Sequence, residues 1–163
     1  MRIICTGTPG TGKTTIAKAI AKKCHMQYVE VNKIIKTNNL REGYDKKRQT
    51  YIVDEKKLTK ILLQYVQKNK SYIIDSHLSH YLPAKKVTLC IVTKTDLKEL
   101  KKRLEKRKYP KAKIRENIDA EIFDICYQEA LEAGHTIQVI DTTKKSLKQC
   151  LTELNHVLHQ NKR

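Results

Sequence analysis

The feature that most restricts the fold of this sequence is the segment GTPGTGKT at positions 7–14. It matches the pattern GxxxxGK[ST] at every defined position, and that pattern forms where a β-strand runs into an α-helix. Its glycines let backbone N–H groups point into one concave loop, to which the helix N-terminus adds partial positive charge. Such a loop binds phosphate groups, so the segment predicts a nucleotide-binding fold.

The residues around the loop have the patterns that this setting requires. Residues 2–6 are a short β-branched run that ends at glycine, and Ile16, Ala17 and Ile20 mark one side of a following helix. Apolar spacing predicts further strands at 27–31, 71–75, 87–92 and 136–140. It also predicts four further helices. They lie at 54–68, after a cap at Thr95, from Ile114 through Ile118, Ile122 and Ile125 as far as Gly134, and at 146–160.

This order of elements predicts the fold class. Five strands that alternate with helices imply a parallel sheet covered on both faces, which is a three-layer α/β architecture. The chain has 163 residues, close to the usual size of one domain, so we expect a single domain over 1–163. The weakly patterned polar stretch from Asn32 to Thr50 is interpreted as a flap.

Four side chains are candidates for phosphate chemistry. Lys13 is expected to bridge the β- and γ-phosphate oxygens, and Thr14 to place its hydroxyl on Mg²⁺. Asp75 ends a buried strand, where a carboxylate holds Mg²⁺ directly or through water, with a simple loop or helix cap as the alternative. His77 follows two residues later and could orient an attacking hydroxyl or water, or be a hydrogen-bonded loop histidine.

A basic segment from Lys98 to Arg115 contains ten basic and two acidic residues, a net charge of +8. Phosphoryl transfer needs cations around the transferring group, and a planar guanidinium is well suited to that task. Arg103 and Arg107 lie four residues apart on one predicted helix face and are the candidates. A solvated basic face without a catalytic part is the alternative.

Composition adds limits on partners and location. The 34 Lys and Arg exceed the 17 Asp and Glu by 17, which favours a polyanionic partner, although a lysine-rich proteome or thermophilic adaptation is an alternative. Five scattered cysteines without a CxxC pair are expected to be reduced and mostly buried. Without an apolar run near the roughly 20 residues that span a bilayer, or a secretory leader, we expect no membrane partner and a cytoplasmic location.

Several motifs together resemble one known family. They are the phosphate loop with its flanks at 6–15, the triplet Asp75-Ser76-His77, the segment RLEKRKY at 103–109, and the short segments ENI at 116–118 and EI at 121–122. This set is similar to the adenylate kinase isoenzyme 6 family, also described as the coilin-interacting nuclear ATPase family, and to its archaeal branch in particular. The likeness covers nearly the whole chain, and the DxH triplet with the RLExRxY segment distinguishes this family from ordinary adenylate kinases.

The resemblance implies a phosphate-loop kinase fold with a nucleoside-monophosphate flap at about 30–53 and a short lid at about 106–116. The implied activity is interconversion of ATP plus AMP with two ADP, using Mg²⁺ with ATP. ATP hydrolysis and a role in maturation of the small ribosomal subunit are implied as well. The residues implied to bind ATP are Gly10, Gly12, Lys13, Thr14 and Thr15 in the loop, Arg107 from the lid, and Lys144 beside the adenine. Arg103, a candidate from the basic segment, is expected to bind ATP as well.

Alternatives remain open at this point. Lys36 stands in the flap where a relative carries arginine, which makes AMP less secure as the acceptor than ATP as the donor. Water could replace AMP in an assembly ATPase that acts on a ribosomal protein or rRNA. The acceptor could also be another small molecule, such as shikimate or a nucleoside. A basic nucleic-acid-binding module with a degenerate nucleotide site is disfavoured by the intact Lys13, Thr14 and Asp75.

Overall fold

The computed structural model describes residues 1–46, 50–68 and 70–160. Its elements in chain order are β1 (Arg2–Thr6), α1 (Lys13–Cys24), β2 (Gln27–Glu30), α2 (Val31–Thr37), β3 (Arg41–Asp45), β4 (Thr50–Val53), α3 (Glu55–Lys68), β5 (Tyr72–Asp75), β6 (Leu89–Lys94), α4 (Leu97–Lys106), α5 (Lys111–Ile122), α6 (Ile125–Glu132), β7 (Ile137–Asp141) and α7 (Leu147–Gln160). Short 3₁₀ turns occupy Ser79–Tyr81 and Ala84–Lys86.

The main sheet has five parallel strands in the order β2-β5-β1-β6-β7. The predicted α/β fold with a five-stranded parallel sheet is therefore confirmed. Strand β1 lies in the middle, and its register places Cys5 opposite Asp75 of β5. The carboxyl ends of these two strands consequently bring the phosphate loop and Asp75 to the same edge of the sheet.

Helices cover both faces of the sheet because each buried strand is apolar on both sides. Along β1, Ile3 packs in the layer formed with α1 and α7, whereas Ile4 packs in the layer formed with α2, α3 and α6. Full burial of one such side chain contributes roughly 1.5–3 kcal/mol. The cysteines are free, as predicted, and Cys5, Cys90 and Cys150 are buried among these apolar side chains.

The predicted flap has regular structure that its polar sequence did not reveal. Val31, expected at the end of a strand, begins helix α2, and β3 and β4 then form an antiparallel hairpin. The hairpin is held in part by Tyr44 and Tyr51, whose ring centroids lie 5.0 Å apart. Residues 47–49 of the predicted flap lie outside the described residues.

The single helix predicted from Ile114 to Gly134 is wrong, because it is broken in two at Asp124. Asp124 adopts a left-handed conformation with φ 53° between α5 and α6, and its carboxylate pairs with Lys94 at the end of β6. The break turns Ile122 and Ile125 outward, so they are 53% and 41% exposed instead of lying on a buried face. The spacing of apolar residues along the predicted helix does not reveal this ion pair with a distant strand.

The ends of the neighbouring helices are also informative. Helix α4 is capped by Asp96, whose carboxylate accepts from the backbone N–H groups of Lys98 and Glu99 at 2.9 and 3.3 Å, so the prediction of Thr95 as the cap is wrong. The Thr95 N–H instead donates to the buried carboxylate of Glu121 at 3.0 Å. The predicted stop at Gly134 agrees with the structure, where that residue has φ 77° directly after α6.

Candidate functional site

The phosphate loop connects β1 to α1, as its motif predicts. Gly7 has φ 134°, and a Cβ atom there would lie 2.4 Å from the carbonyl oxygen of Thr93. Gly10 has φ 100°, and its Cβ would lie 2.8 Å from Leu100 Cδ1. Inside the loop the Thr11 hydroxyl donates to the Thr8 carbonyl at 2.8 Å, and its Oγ1 lies 2.6 Å from Thr93 Oγ1. The loop is therefore held tightly against β6 and α4.

Lys13 is the first residue of α1, and its side chain folds over the loop. Its ammonium donates to the Thr8 carbonyl at 3.0 Å, and the residue is only 9% exposed. Burial lowers the pKa of Lys13 and the charge of Arg107 acts in the same direction, whereas Asp75 is among the groups that oppose this shift. The structure thus gathers one buried cation, one arginine and one carboxylate around the same loop.

Asp75 lies at the end of β5 and is buried. One carboxylate oxygen accepts from the Tyr28 hydroxyl at 2.8 Å, and the other accepts no hydrogen bond within the described parts of the chain. Thr14 is exposed in the first turn of α1 and lines the same cavity as Asp75. Carboxylate and hydroxyl oxygens are the donors that Mg²⁺ prefers, so this pair fits the predicted metal role.

The cavity has a volume of about 550 Å³ and lies at the carboxyl edge of the sheet. The predicted site residues that line it are Gly10, Gly12, Lys13, Thr14, Thr15, Asp75, His77 and Arg107. The His77 imidazole is exposed to the cleft. Desolvation by the surrounding walls lowers its pKa to about 4, and the charge of Lys13 acts in the same direction. His77 is therefore neutral at pH 7.

The two predicted arginines have different surroundings. The Arg103 guanidinium donates to Glu99 at 2.9 Å, to the Thr142 hydroxyl and carbonyl at 3.1 and 3.0 Å, and to the Gly10 carbonyl at 3.4 Å. It therefore ties the phosphate loop to the segment after β7. Arg107 directly follows α4 as its C-cap, lines the cavity and makes no side-chain hydrogen bond to the described residues.

Two predicted lysines lie outside the cavity. Lys144 lines a separate groove of about 740 Å³ with Asp141, Thr143 and Lys102, next to the segment that Arg103 holds. Lys36 is exposed on α2 and lines neither space. The ammonium of Lys36, which was expected to contact a monophosphate from the predicted flap, is thus not directed into the cleft in this conformation.

Sequence analysis missed three side chains that belong to the site. Tyr28 reaches Asp75 from the neighbouring strand, and Cys126 and Glu129 line the cavity from α6. No local pattern marks them, because each is brought to the site by a separate element. The predicted lid segment contributes Lys113, whose ammonium lies 4.5 Å from the centroid of the Tyr109 ring, and both residues line the cavity.

Comparison with known proteins identifies the family. A family profile described as "AAA domain" matches residues 3–124. A Schizosaccharomyces pombe protein named "Adenylate kinase isoenzyme 6 homolog" is 37% identical over 155 residues, covering 95% of this chain and 87% of that protein. A Methanocaldococcus jannaschii protein named "Putative adenylate kinase" is 34% identical over 162 residues, covering 99% of this chain and 88% of that protein.

This chain belongs to the adenylate kinase isoenzyme 6 family. It is therefore an adenylate-kinase-like phosphotransferase that uses ATP. A Chloroflexus aurantiacus structure described as a "putative kinase" shares the fold, with a TM-score of 0.58 at 17% identity over 99% of this chain and 97% of that one. Within the described residues, no helix has the length and apolar character to cross a bilayer.

Proposed function

We propose that this kinase transfers the γ-phosphoryl group of ATP to AMP, giving two ADP. The observation that carries the proposal is that Lys13, Thr14, Asp75 and Arg107 line one cavity of about 550 Å³ at the phosphate loop. A phosphate oxygen is a stronger acceptor for Lys13 than the Thr8 carbonyl that it now contacts, because the bond is charge-assisted. The ammonium can therefore exchange one partner for the other on ATP binding.

The cations that surround the cavity suit the charge of the transition state. Charge spreads over the equatorial oxygens of the transferring group, and fixed positive groups stabilise it. Lys13 approaches from the loop, Arg107 from α4 and Lys113 from the lid. Thr14 and Asp75, directly or through water, would hold Mg²⁺, which would supply positive charge that partly neutralises the phosphates.

Arg103 and Lys144 are proposed to serve the base end of ATP. All three nitrogens of the Arg103 guanidinium are already engaged by Glu99, Gly10 and Thr142, so its flat face is the part left for a ligand. A guanidinium plane stacks well on an aromatic ring. Glu99, which accepts from Arg103, also lines the groove beside Lys144, which supports an adenine position there.

AMP is proposed as the acceptor because the flap reaches the same cavity. Glu30, Asn32 and Thr50 of the flap line it together with the phosphate loop. Relatives named adenylate kinase support the same acceptor. The test is an acceptor screen with ATP and Mg²⁺, in which AMP should exceed other nucleoside monophosphates, nucleosides and shikimate in turnover. Preference for a non-nucleotide acceptor would refute AMP as the substrate.

Hydrolysis of ATP is the second proposed activity, and one observation favours it. His77 is neutral and exposed to the cleft, so its free ring nitrogen can accept a proton or hydrogen bond from water. In this activity water takes the place of AMP. Phosphate release measured without AMP tests it, and a rate equal to that of Lys13→Ala would contradict it.

A role in small-subunit maturation is proposed on the surface chemistry. Residues 116–132 carry six acidic and no basic residues within a chain of net charge +17. The same stretch exposes Ile122, Phe123 and Leu131 by 53%, 67% and 52%. An acidic surface with apolar anchors fits a basic ribosomal protein, whereas the rest of the basic surface fits rRNA.

Two experiments test this partner proposal. Phe123→Ser should weaken capture of a basic small-subunit ribosomal protein without changing ATP turnover, and Ile52→Ser, 54% exposed on β4, is the matched control. Equal capture by both variants would place the partner elsewhere. For rRNA, log K should fall by roughly 0.7 per phosphate contact for each unit of log salt concentration. A flat salt response would exclude direct RNA contact.

A further inference from the structure

A buried histidine behind the phosphate loop has no part in the mechanism described so far. His80 lies in the 3₁₀ turn that follows His77 and is 1% exposed. Its Nδ1 is 2.9 Å from Oγ1 of Thr6, the last residue of β1, and its Nε2 is 2.8 Å from Oε2 of Glu129 on α6. One imidazole therefore joins the strand that leads into the loop to the opposite wall of the cleft.

The partners determine which ring nitrogen carries the proton. An ionised carboxylate can only accept, and Oε2 of Glu129 lies 2.8 Å from Nε2, so a proton on Nε2 avoids placing two lone pairs face to face. Nδ1 of a neutral ring then accepts from the Thr6 hydroxyl at 2.9 Å, whereas the His77 carbonyl is farther from that hydroxyl at 3.5 Å. Burial lowers the pKa of His80 to about 4, and nearby His135 acts in the same direction, which agrees with a neutral ring.

The Glu129 contact is close but not aligned. The carboxylate oxygen lies at ion-pair distance from Nε2, yet outside the direction in which the N–H bond points. Glu129 is also 38% exposed and lines the cavity that holds Lys13 and Asp75. Its side chain therefore lies between the buried histidine and the wall of the cleft.

We infer that His80 is a positioning residue for phosphoryl transfer, which as a neutral Nε2–H tautomer accepts from Thr6 and directs the Glu129 carboxylate at the cleft wall. This inference rests on the proposed function. His80 acts through Thr6 and Glu129, and it does not contact the phosphates. Its loss should therefore lower kcat while the phosphate loop still binds ATP with nearly unchanged KM.

The tautomer is tested without any assay of activity. In a protein with ¹⁵N-labelled histidine at pH 7, the two ring nitrogens of His80 should show the pattern of a neutral Nε2–H ring. The Thr6→Val and Glu129→Gln variants should each shift one of the two resonances. A neutral Nδ1–H ring or a doubly protonated ring would overturn the inference.

Variants of His80 separate its two contacts. Asparagine places a polar atom near the position of Nδ1 and cannot reach Glu129, whereas glutamine reaches toward the position of Nε2. His80→Gln should keep more than a third of wild-type kcat, and His80→Asn should lose about tenfold, both with KM for ATP within twofold. The double variant His80→Asn with Glu129→Gln should be no slower than the slower single variant.

A variant of Glu129, the exposed partner of His80, tests the same contact without a substitution in the buried interior. Glu129→Asp keeps the charge but withdraws it from His80, so it should lose about as much kcat as His80→Asn. Glu132→Asp on the same helix is the control and should leave kcat unchanged. Additive losses in the double variant, or a wild-type kcat in Glu129→Asp, would overturn the inference. Absence of AMP phosphorylation by the wild type would instead refute the proposed acceptor, and the same ratios would then be measured on ATP hydrolysis.

Discussion

Arg107→Lys should slow phosphoryl transfer and leave the fold intact. The Arg107 side chain faces the cavity near Lys13 and makes no hydrogen bond to the described residues, so no fold contact in that part of the chain depends on its guanidinium. Lysine keeps the charge but replaces a planar fork, which grips two phosphate oxygens, by a point charge. Loss of one charge-assisted hydrogen bond costs about 1.5–3 kcal/mol, which corresponds to a fall in kcat of roughly 10- to 100-fold.

Arg103→Lys is the matched variant because it removes a guanidinium that makes contacts within the fold, whereas Arg107 faces the cavity. Arg103 holds Gly10 and Thr142 together, so its loss should lower the free energy of unfolding by about 1–3 kcal/mol. For a chain of this size that is a fall in Tm of about 2–4 °C per kcal/mol. Thermal melts and a coupled ADP assay on both variants measure the two effects. A kcat of Arg107→Lys within twofold of wild type would contradict its contact with phosphate. Equal losses of Tm in both variants would contradict the assignment of the fold contacts to Arg103 alone.

Three further predictions follow from the site. Lys13→Ala should lower turnover by about 10² to 10³ in a folded protein, because one preorganised charge is lost, and near-normal turnover with normal circular dichroism would contradict the loop assignment. Asp75→Asn should weaken Mg²⁺-dependent turnover sharply while metal-free ADP binding, measured by calorimetry, stays nearly intact. Because the pKa of His77 is lowered to about 4, its neutral form persists well below pH 6.5, so hydrolysis should show no inflection there. An inflection near pH 6.5 that disappears in His77→Ala would be inconsistent with that environment.

The centre of the fold was predictable because its signals are local. The glycines and Lys13 define the loop by themselves, and the apolar runs of β1 and β5 imply buried parallel strands. Once those strands are adjacent, Asp75 must lie at the same sheet edge as the loop. The predicted metal pair followed from that topology.

The parts that were not predictable depend on contacts between distant residues. At the break between α5 and α6, the Asp124 carboxylate pairs with Lys94, thirty positions earlier. Spacing of four residues placed Arg103 and Arg107 on one helix face, but the contacts of Arg103 with Thr142 give it a different environment. The link from Thr6 through His80 to Glu129 joins three separate elements, and no motif marks it.

Transfer of the γ-phosphoryl group of ATP to AMP in the cavity at the phosphate loop has a stoichiometry that can be measured. The most direct measurement follows ATP, ADP, AMP and inorganic phosphate together during a reaction with Mg²⁺, with and without AMP. We expect one AMP to disappear with each ATP, two ADP to form, and phosphate release to be the minor route. ADP and phosphate formed at the same rate with or without AMP, while AMP is not consumed, would contradict this expectation.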